Sequence, residues 1–417
     1  MKVSAALRTS LRSRRAWAGA ISVLLLLGAF IGGLQLHREL GLKPGPNEYN
    51  LGAWEIRHLP QKWLFLLGEV IRGEPPRESQ DAHLIRFFQL TEEIAASERM
   101  ISDLDQRGEA VPADALTLMR SLSEERERIE NQVEATLEAR ITDAASDLGL
   151  TRSFLDVVWP PVDIEFTEAP RALVTSPRDR IELLGSSLLR TDLSIAELEA
   201  IEEETQTSAD VSALAFRIGG VGAYPAIVNY PVEYARVLRL AAHEWTHHYL
   251  FFRPLGLRYY ASNDLRTINE TVADLVGDEI ANAVLSRWPL LEESRASIQR
   301  DESDVSIDLG AELRALRAAA EELLEAGDID AAEALMESKR QELVDAGFAI
   351  RKLNQAYFAF TNLYAGQAGS PGAVNPIGPK VDQLRQQSDS LEEFVDRVSS
   401  VKSVADLDRL VAKTSTP

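Results

Sequence analysis

A chain of 417 residues with 45% apolar side chains has the composition of a folded protein and can bury one large core or two ordinary ones. Its formal charge of −21, with no concentrated basic surface for phosphate neutralisation, excludes nucleic acid as the main partner. The absence of cysteine excludes disulfides, thiolate metal sites and cysteine nucleophiles, so any metal must rest on His, Asp and Glu.

Residues 1–15 carry Lys2, Arg8, Arg12, Arg14 and Arg15 ahead of an uncharged run from Ala16 to Leu36. That run is long enough to cross a bilayer as one helix, and the preceding charges favour a cytoplasmic N-terminus. The expected arrangement is a single-pass anchor at 16–36, with everything after it outside the cytoplasm. A cleaved signal peptide competes, but no clear small-x-small site follows Leu24 to Leu27. Residues 37–80 hold the turn-rich Lys43 to Asn47 and an apolar helix candidate, Leu59 to Arg72, that packs into the soluble domain or lies in the membrane interface.

Residues 81–150 read as two long helices broken at Gly108 to Pro112. Leu116, Met119, Leu122, Ile129, Val133, Leu137 and Ile141 recur at three- and four-residue steps and give the second helix one apolar stripe. This hairpin serves either as an arm for a protein partner or as packing for the domain that follows. From 151 to 289 the texture changes. Val162 to Phe166, Ala172 to Thr175 and Ile181 to Leu184 are strand candidates. A helix from Ser194 to Glu204 opens on a Ser194/Glu197 capping box, and Ala213 to Ile218 and Tyr224 to Val228 follow as strands. The fold class is α+β, a small mixed sheet beside helices. Gly219, Gly220 and Gly222 allow close backbone approach. Because Pro225 cannot donate to a ladder, Tyr224 to Asn229 is better placed at a sheet edge, where Gly222, Ala223, Tyr224 and Ala226 can meet an extended peptide, than at its centre; the competing reading is a glycine turn leading into a buried strand.

The next helix, Val232 to Phe252, contains His243-Glu244-Trp-Thr-His247. Residues four apart share a helix face, so the two imidazoles can present nitrogens to one metal, with Glu244 beside the open position. His248 points about 100° away and is not expected to be a ligand. The helix is apolar almost all round and therefore buried; a bound metal offsets the cost of burying its polar residues, the competing reading being a pair of core histidines satisfied by ordinary hydrogen bonds. Downstream stands Asn269-Glu270-Thr-Val-Ala-Asp274. Ile268, Val272, Leu275, Val276 and Ile280 form one stripe, while Ala273 and Gly277 leave room for close approach, so that Glu270 can become a third ligand. Asp274 can accept the free ring N–H of a ligand histidine, with Asn269 beside it.

This pair of motifs resembles the gluzincin metallopeptidases, the thermolysin-like group, over roughly Val162 to Leu285. The resemblance implies one zinc ion at His243, His247 and Glu270, Glu244 as general base and Asp274 as the residue that orients a ligand. One departure concerns substrate class. Gluzincin aminopeptidases of the leukotriene-hydrolase type carry Gly-Ala-Met-Glu-Asn on the edge strand; here the local sequence is Gly222-Ala-Tyr-Pro-Ala226, so the acid that would hold a substrate amino terminus is missing.

Residues 290–348 read as an acidic helical insertion, with helices near Leu309 to Glu325 and Ile329 to Asp345. Residues 349–417 return to apolar helix at Leu353 to Tyr364, pass a Gly/Pro loop at Ser370 to Lys380 that borders the cleft, and close with amphipathic helix from Leu391 to Val411. Tyr364, and after it Tyr357 seven residues earlier, are the candidate hydroxyl donors to a developing oxyanion; aromatic core packing with an incidental hydroxyl is the alternative for either one. The expectation from all this is a membrane-anchored zinc peptidase acting on peptide or protein substrates outside the cytoplasm. A zinc hydrolase of a non-peptide bond, or an inactive anchored scaffold, are the alternatives.

Overall fold

The computed structural model describes residues 45–55, 57–58, 76–107, 109–152, 157–230, 233–290, 307–364 and 375–413, which build an α+β protein of small sheets and long helices. The expected anchor at 16–36 and the apolar helix at Leu59 to Arg72 lie outside them. Among the described residues no helix is long and apolar enough to cross a membrane.

Helices α1 (Arg77–Gln106) and α2 (Ala113–Asp147) form the expected hairpin. Its root carries the packing: Phe87, Val133, Leu137 and Ile141 are fully buried in the main core. Leu90, Ile94 and Leu122 make a smaller cluster, and Leu116 and Leu118 near the turn are exposed.

Strands β1 (Thr151–Arg152), β2 (Val157–Val158), β3 (Ile164–Phe166), β4 (Arg171–Pro177) and β5 (Gly185–Leu189) come next. They are followed by α3 (Ile195–Ala209), β6 (Val211–Arg217), β7 (Gly220–Val221) and β8 (Ala226–Val228). β1 and β2 pair with each other, β5-β4-β6 is an antiparallel sheet, and β3-β8-β7 is mixed, with β3 parallel and β7 antiparallel to β8. The capping box at Ser194 and Glu197 is formed, with Ser194 N–H donating to Glu197 at 2.8 Å.

The free edge of β3 is covered by α2. Glu138 and Glu134, both buried, accept the N–H groups of Ile164 and Phe166 at 2.9 and 2.6 Å. Alternate strand residues repeat at about 6.6 Å and helix residues four apart at about 6 Å, so the two carboxylates keep step with the outward N–H groups. Removing either acceptor strands a buried donor. Glu134→Ala and Glu138→Ala are each expected to cost about 1–3 kcal/mol in chemical denaturation, and Glu→Gln, which keeps an oxygen, less. Equal stability of Ala variants and wild type would show that the edge is satisfied in some other way.

Two strand expectations are corrected. Ile181 to Leu184 is a connection, and the strand is the following Gly185–Leu189; Leu183 is buried without ladder bonds, so its apolar signal reported burial rather than pairing. Tyr224 to Val228 is not an edge: β8 is the middle strand, because the chain turns back from β7 onto its second side. Pro225 stands just before the strand, where its missing N–H costs no ladder bond. With the β3 edge covered by α2, the other edge of that sheet is β7.

Helices α4 (Tyr234–Phe251) and α6 (Asn263–Arg287) cross against each other, joined through α5 (Pro254–Leu257). Ile268, Val272, Val276 and Ile280 are buried as the stripe requires, whereas Leu275 is half-buried and lines the cavity described below. A Cβ on Gly277 would lie 3.0 Å from Arg239 O and 3.1 Å from His243 N, so the small residue fixes how near the two helices come. Helices α7 (Leu309–Glu325) and α8 (Ile329–Asp345) have the expected bounds and turn through Gly327 at φ 79°. They pack through Leu313, Leu316 and Met336 on Phe358 of α9 (Gln355–Thr361). A bidentate Arg178–Glu333 pair at 2.9 and 2.8 Å ties α8 to the end of β4. Helices α10 (Ile377–Gln386), α11 (Leu391–Val398) and α12 (Val404–Lys413) return to the main core beside α6. Ile377 to Lys380, expected as loop, is thus the first turn of α10, where Pro379 is tolerated because the first-turn N–H groups have no helical acceptor.

Candidate metal centre

His243 and His247 project from one face of α4 towards Glu270 on α6. Their Nε2 atoms are 3.1 Å apart, and Glu270 Oε2 lies 3.3 Å from the first and 3.6 Å from the second. Three ligands about 2.05 Å from a tetrahedral zinc would stand roughly 3.3 Å from one another, the middle of the observed range. Behind the ligands, Asp274 Oδ1 is 2.9 Å from His243 Nδ1 and Asn269 Oδ1 is 2.8 Å from His247 Nδ1. Each Nδ1 therefore donates to an oxygen, which leaves each Nε2 lone pair for a metal. Two imidazoles and one carboxylate form a donor set that fits zinc.

Burial alone would lower the pKa of His243, but the Asp274 and Glu270 carboxylates outweigh it and hold the ring well above its ordinary value. His247 is raised as well, Glu270 overcoming burial. Glu270 is held well below the carboxylate range, its burial outweighed by the two histidines. At neutral pH the metal-free cluster therefore keeps protons that a metal must displace. Zinc uptake at pH 7 is expected to release about one to two protons per chain, with affinity rising as pH rises towards the histidine pKa values. Calorimetry in buffers of different ionisation enthalpy reads that number directly; no release would mean that the histidines are already neutral.

Glu244 is 5% exposed. A Cβ on Gly220 would come within 2.5 Å of Glu244 Oε1, and one on Gly222 within 3.7 Å of Oε2, so the glycines expected to permit close approach make room for this carboxylate. Burial raises its pKa, with His243 and His247 opposing. All these groups face a cavity of about 1340 Å³, more than the 300–1000 Å³ usual for a small ligand.

The other expected residues divide. Tyr364 lines the cavity; burial first, then the charges of Glu270, Glu244 and Asp274, push its phenol well above the ordinary value. Tyr357 does not line it and packs on Phe216, ring centres 6.0 Å apart. The seven-residue spacing fails as a guide because α9 ends at Thr361, and Tyr364 lies beyond it. Gly222 and Tyr224 line the cavity, whereas Ala223 and Ala226 are buried. His248 lies apart from the cluster: its Nε2 donates to Ala223 O at 2.5 Å, and burial lowers its pKa to about 4, leaving it neutral.

Three cavity residues escaped the sequence reading. Tyr259 donates its hydroxyl to Glu270 Oε1, and its ring stands 6.0 Å from that of His247. Glu55, whose carboxylate accepts Tyr224 N–H at 3.2 Å, arrives from the far N-terminal side, and Arg266 stands one turn before Glu270. Tyr259 and Glu55 sit in no periodic pattern that points at the site. Arg266 was findable, since residues four apart share a helix face. No protein-family model matches the chain, and no curated protein or solved structure matches it either.

Proposed function

We propose that this chain belongs to the single-zinc hydrolases, on one observation above the rest: two histidines and a glutamate from two helices present three ligand atoms at metal-binding separation, each ring oriented from behind. Within that class we infer a peptidase. Two features support the narrower reading. The cavity has room for an extended chain, and the β7 edge runs along it. Asn229 N–H bonds Gly219 O, so hydrogen-bonded pairs alternate at 219/229 and 221/227, and Gly220 turns its own N–H and C=O outward, free to pair with a substrate backbone.

Zinc, when bound, supplies Lewis-acid polarisation of a water and of the scissile carbonyl. Glu244 takes the proton from the attacking water and delivers it to the leaving amine. The Tyr364 hydroxyl donates to the oxyanion on the tetrahedral carbon. Asp274 and Asn269 hold the imidazoles in the ligating tautomer, and Tyr259 fixes the free oxygen of Glu270. The basic N-terminus and the 16–36 run support placement as a single-pass membrane protein with this domain outside the cytoplasm.

The test is metal content and cleavage of an unfolded protein by the purified full-length chain. About one zinc per chain, with cleavage lost on chelation and restored by zinc, is the expected result. A zinc-loaded chain that cleaves no peptide would sink the peptidase reading and leave hydrolysis of another bond or an inactive scaffold.

A further inference from the structure

The cavity wall formed by α6 and the segment before it carries a cation that the proposed chemistry does not use. Arg266 lies four residues before Glu270 on α6 and faces the same cavity. Its Nε is buried and makes no hydrogen bond, and among the described residues no carboxylate stands within ion-pair distance of it. The nearest acid on its own helix face, Glu270, is already engaged by both histidines and by Tyr259. The guanidinium rests instead on two aromatic faces, 5.2 Å from the Tyr259 ring centre and 5.1 Å from that of Tyr260. Tyr260 is 84% exposed at the rim, so the cation sits between the metal ligands and the opening. Its charge also reaches the Tyr364 phenol on the opposite element.

A planar guanidinium fork, stacked on two aromatic rings and with no hydrogen bond or ion pair to an acceptor among the described residues, is matched to a carboxylate that arrives from outside. We infer that Arg266 binds a carboxylate of the peptide substrate and so makes this site selective for peptides that carry one near the cleaved bond. The inference rests on the peptidase reading. The carboxylate is either an Asp or Glu side chain or the substrate's own C-terminus; both present the same two oxygens to the fork.

Zinc-loaded full-length protein is assayed on pairs of matched peptides. One pair differs by Asp or Asn, scanned through the positions flanking the bond, and a second ends in a free carboxylate or an amide. In one of the pairs the acid member is expected to be favoured by about 10- to 100-fold in kcat/KM, chiefly through KM, the scale of one charged hydrogen-bonded contact. The pair that shows it identifies the source. Arg266→Gln brings that ratio to about 1, Arg266→Lys keeps part of it, and Arg266→Glu turns preference towards a Lys-bearing peptide. Affinities of the same peptides for zinc-loaded Glu244→Gln protein, with and without the Arg266 changes, must show the same ratios without turnover. If Arg266→Gln slows both members of each pair alike, the arginine only props the tyrosines and the inference is overturned. Wild type that cleaves acid and neutral peptides equally overturns it too, while the peptidase reading stands. Wild type that holds zinc and cleaves none overturns both.

Discussion

Glu244→Gln is expected to keep about one zinc per chain and to lower kcat by about 10²–10⁴-fold, the range for a positioned general base. The change is one atom in a tight place. Gly220 leaves so little room that a Cβ there would touch Oε1, and Gln fills the same volume without displacing β7. The three ligand atoms at metal-binding separation come from His243, His247 and Glu270, so changing Glu244 removes none of them. The expected signature is a fall in kcat with little change in KM, because proton transfer is made in the transition state and not in substrate binding. Zinc content by mass spectrometry and steady-state kinetics on one peptide suffice. Loss of zinc in this variant would show that Glu244 holds the metal; unchanged turnover would remove it from the chemistry.

The candidate metal centre was legible because each part depends on helical spacing. His243 and His247 needed only one turn of helix, and Glu270 and Asp274 needed one more helix with small residues at Ala273 and Gly277. The hairpin and the α7–α8 insertion were legible for the same reason, their apolar stripes and their Gly, Pro and Asp breaks being local. What failed was non-local. Whether β8 is an edge depends on where two residues of β7 fold, and nothing within Tyr224 to Val228 records that. Gly185–Leu189, which opens on Gly-Ser-Ser and shows no alternation, becomes a strand because β4 is long enough to pair with it. The role of Glu134 and Glu138 was hidden in a helix that reads as charged surface, and it appears only once β3 lies alongside. Tyr259 and Glu55 reach the cavity from irregular segments, where spacing carries no geometric meaning.

Glu270→Ala is expected to weaken zinc by more than the 10–100-fold that changes behind the ligands cause, because it removes one of three donor atoms. Asp274→Ala and Tyr259→Phe belong to that milder class: each leaves all three donors and frees one of them from its orienting partner. Competition with a chromophoric chelator ranks the variants, and wild-type affinity in Glu270→Ala would refute the third ligand. The metal-free protein supplies an independent reading. Burial pulls the His247 pKa down, and the Glu270 charge is the main force pushing it up. Without that carboxylate burial is left less opposed, so the pKa of His247 falls and the ring loses its proton at lower pH than in wild type. His243, 3.3 Å from the same carboxylate, falls as well while keeping Asp274 at 2.9 Å. An NMR titration of the two rings in metal-free protein would show both pKa values lowered. Unchanged values would mean that the Glu270 charge is not what holds these protons.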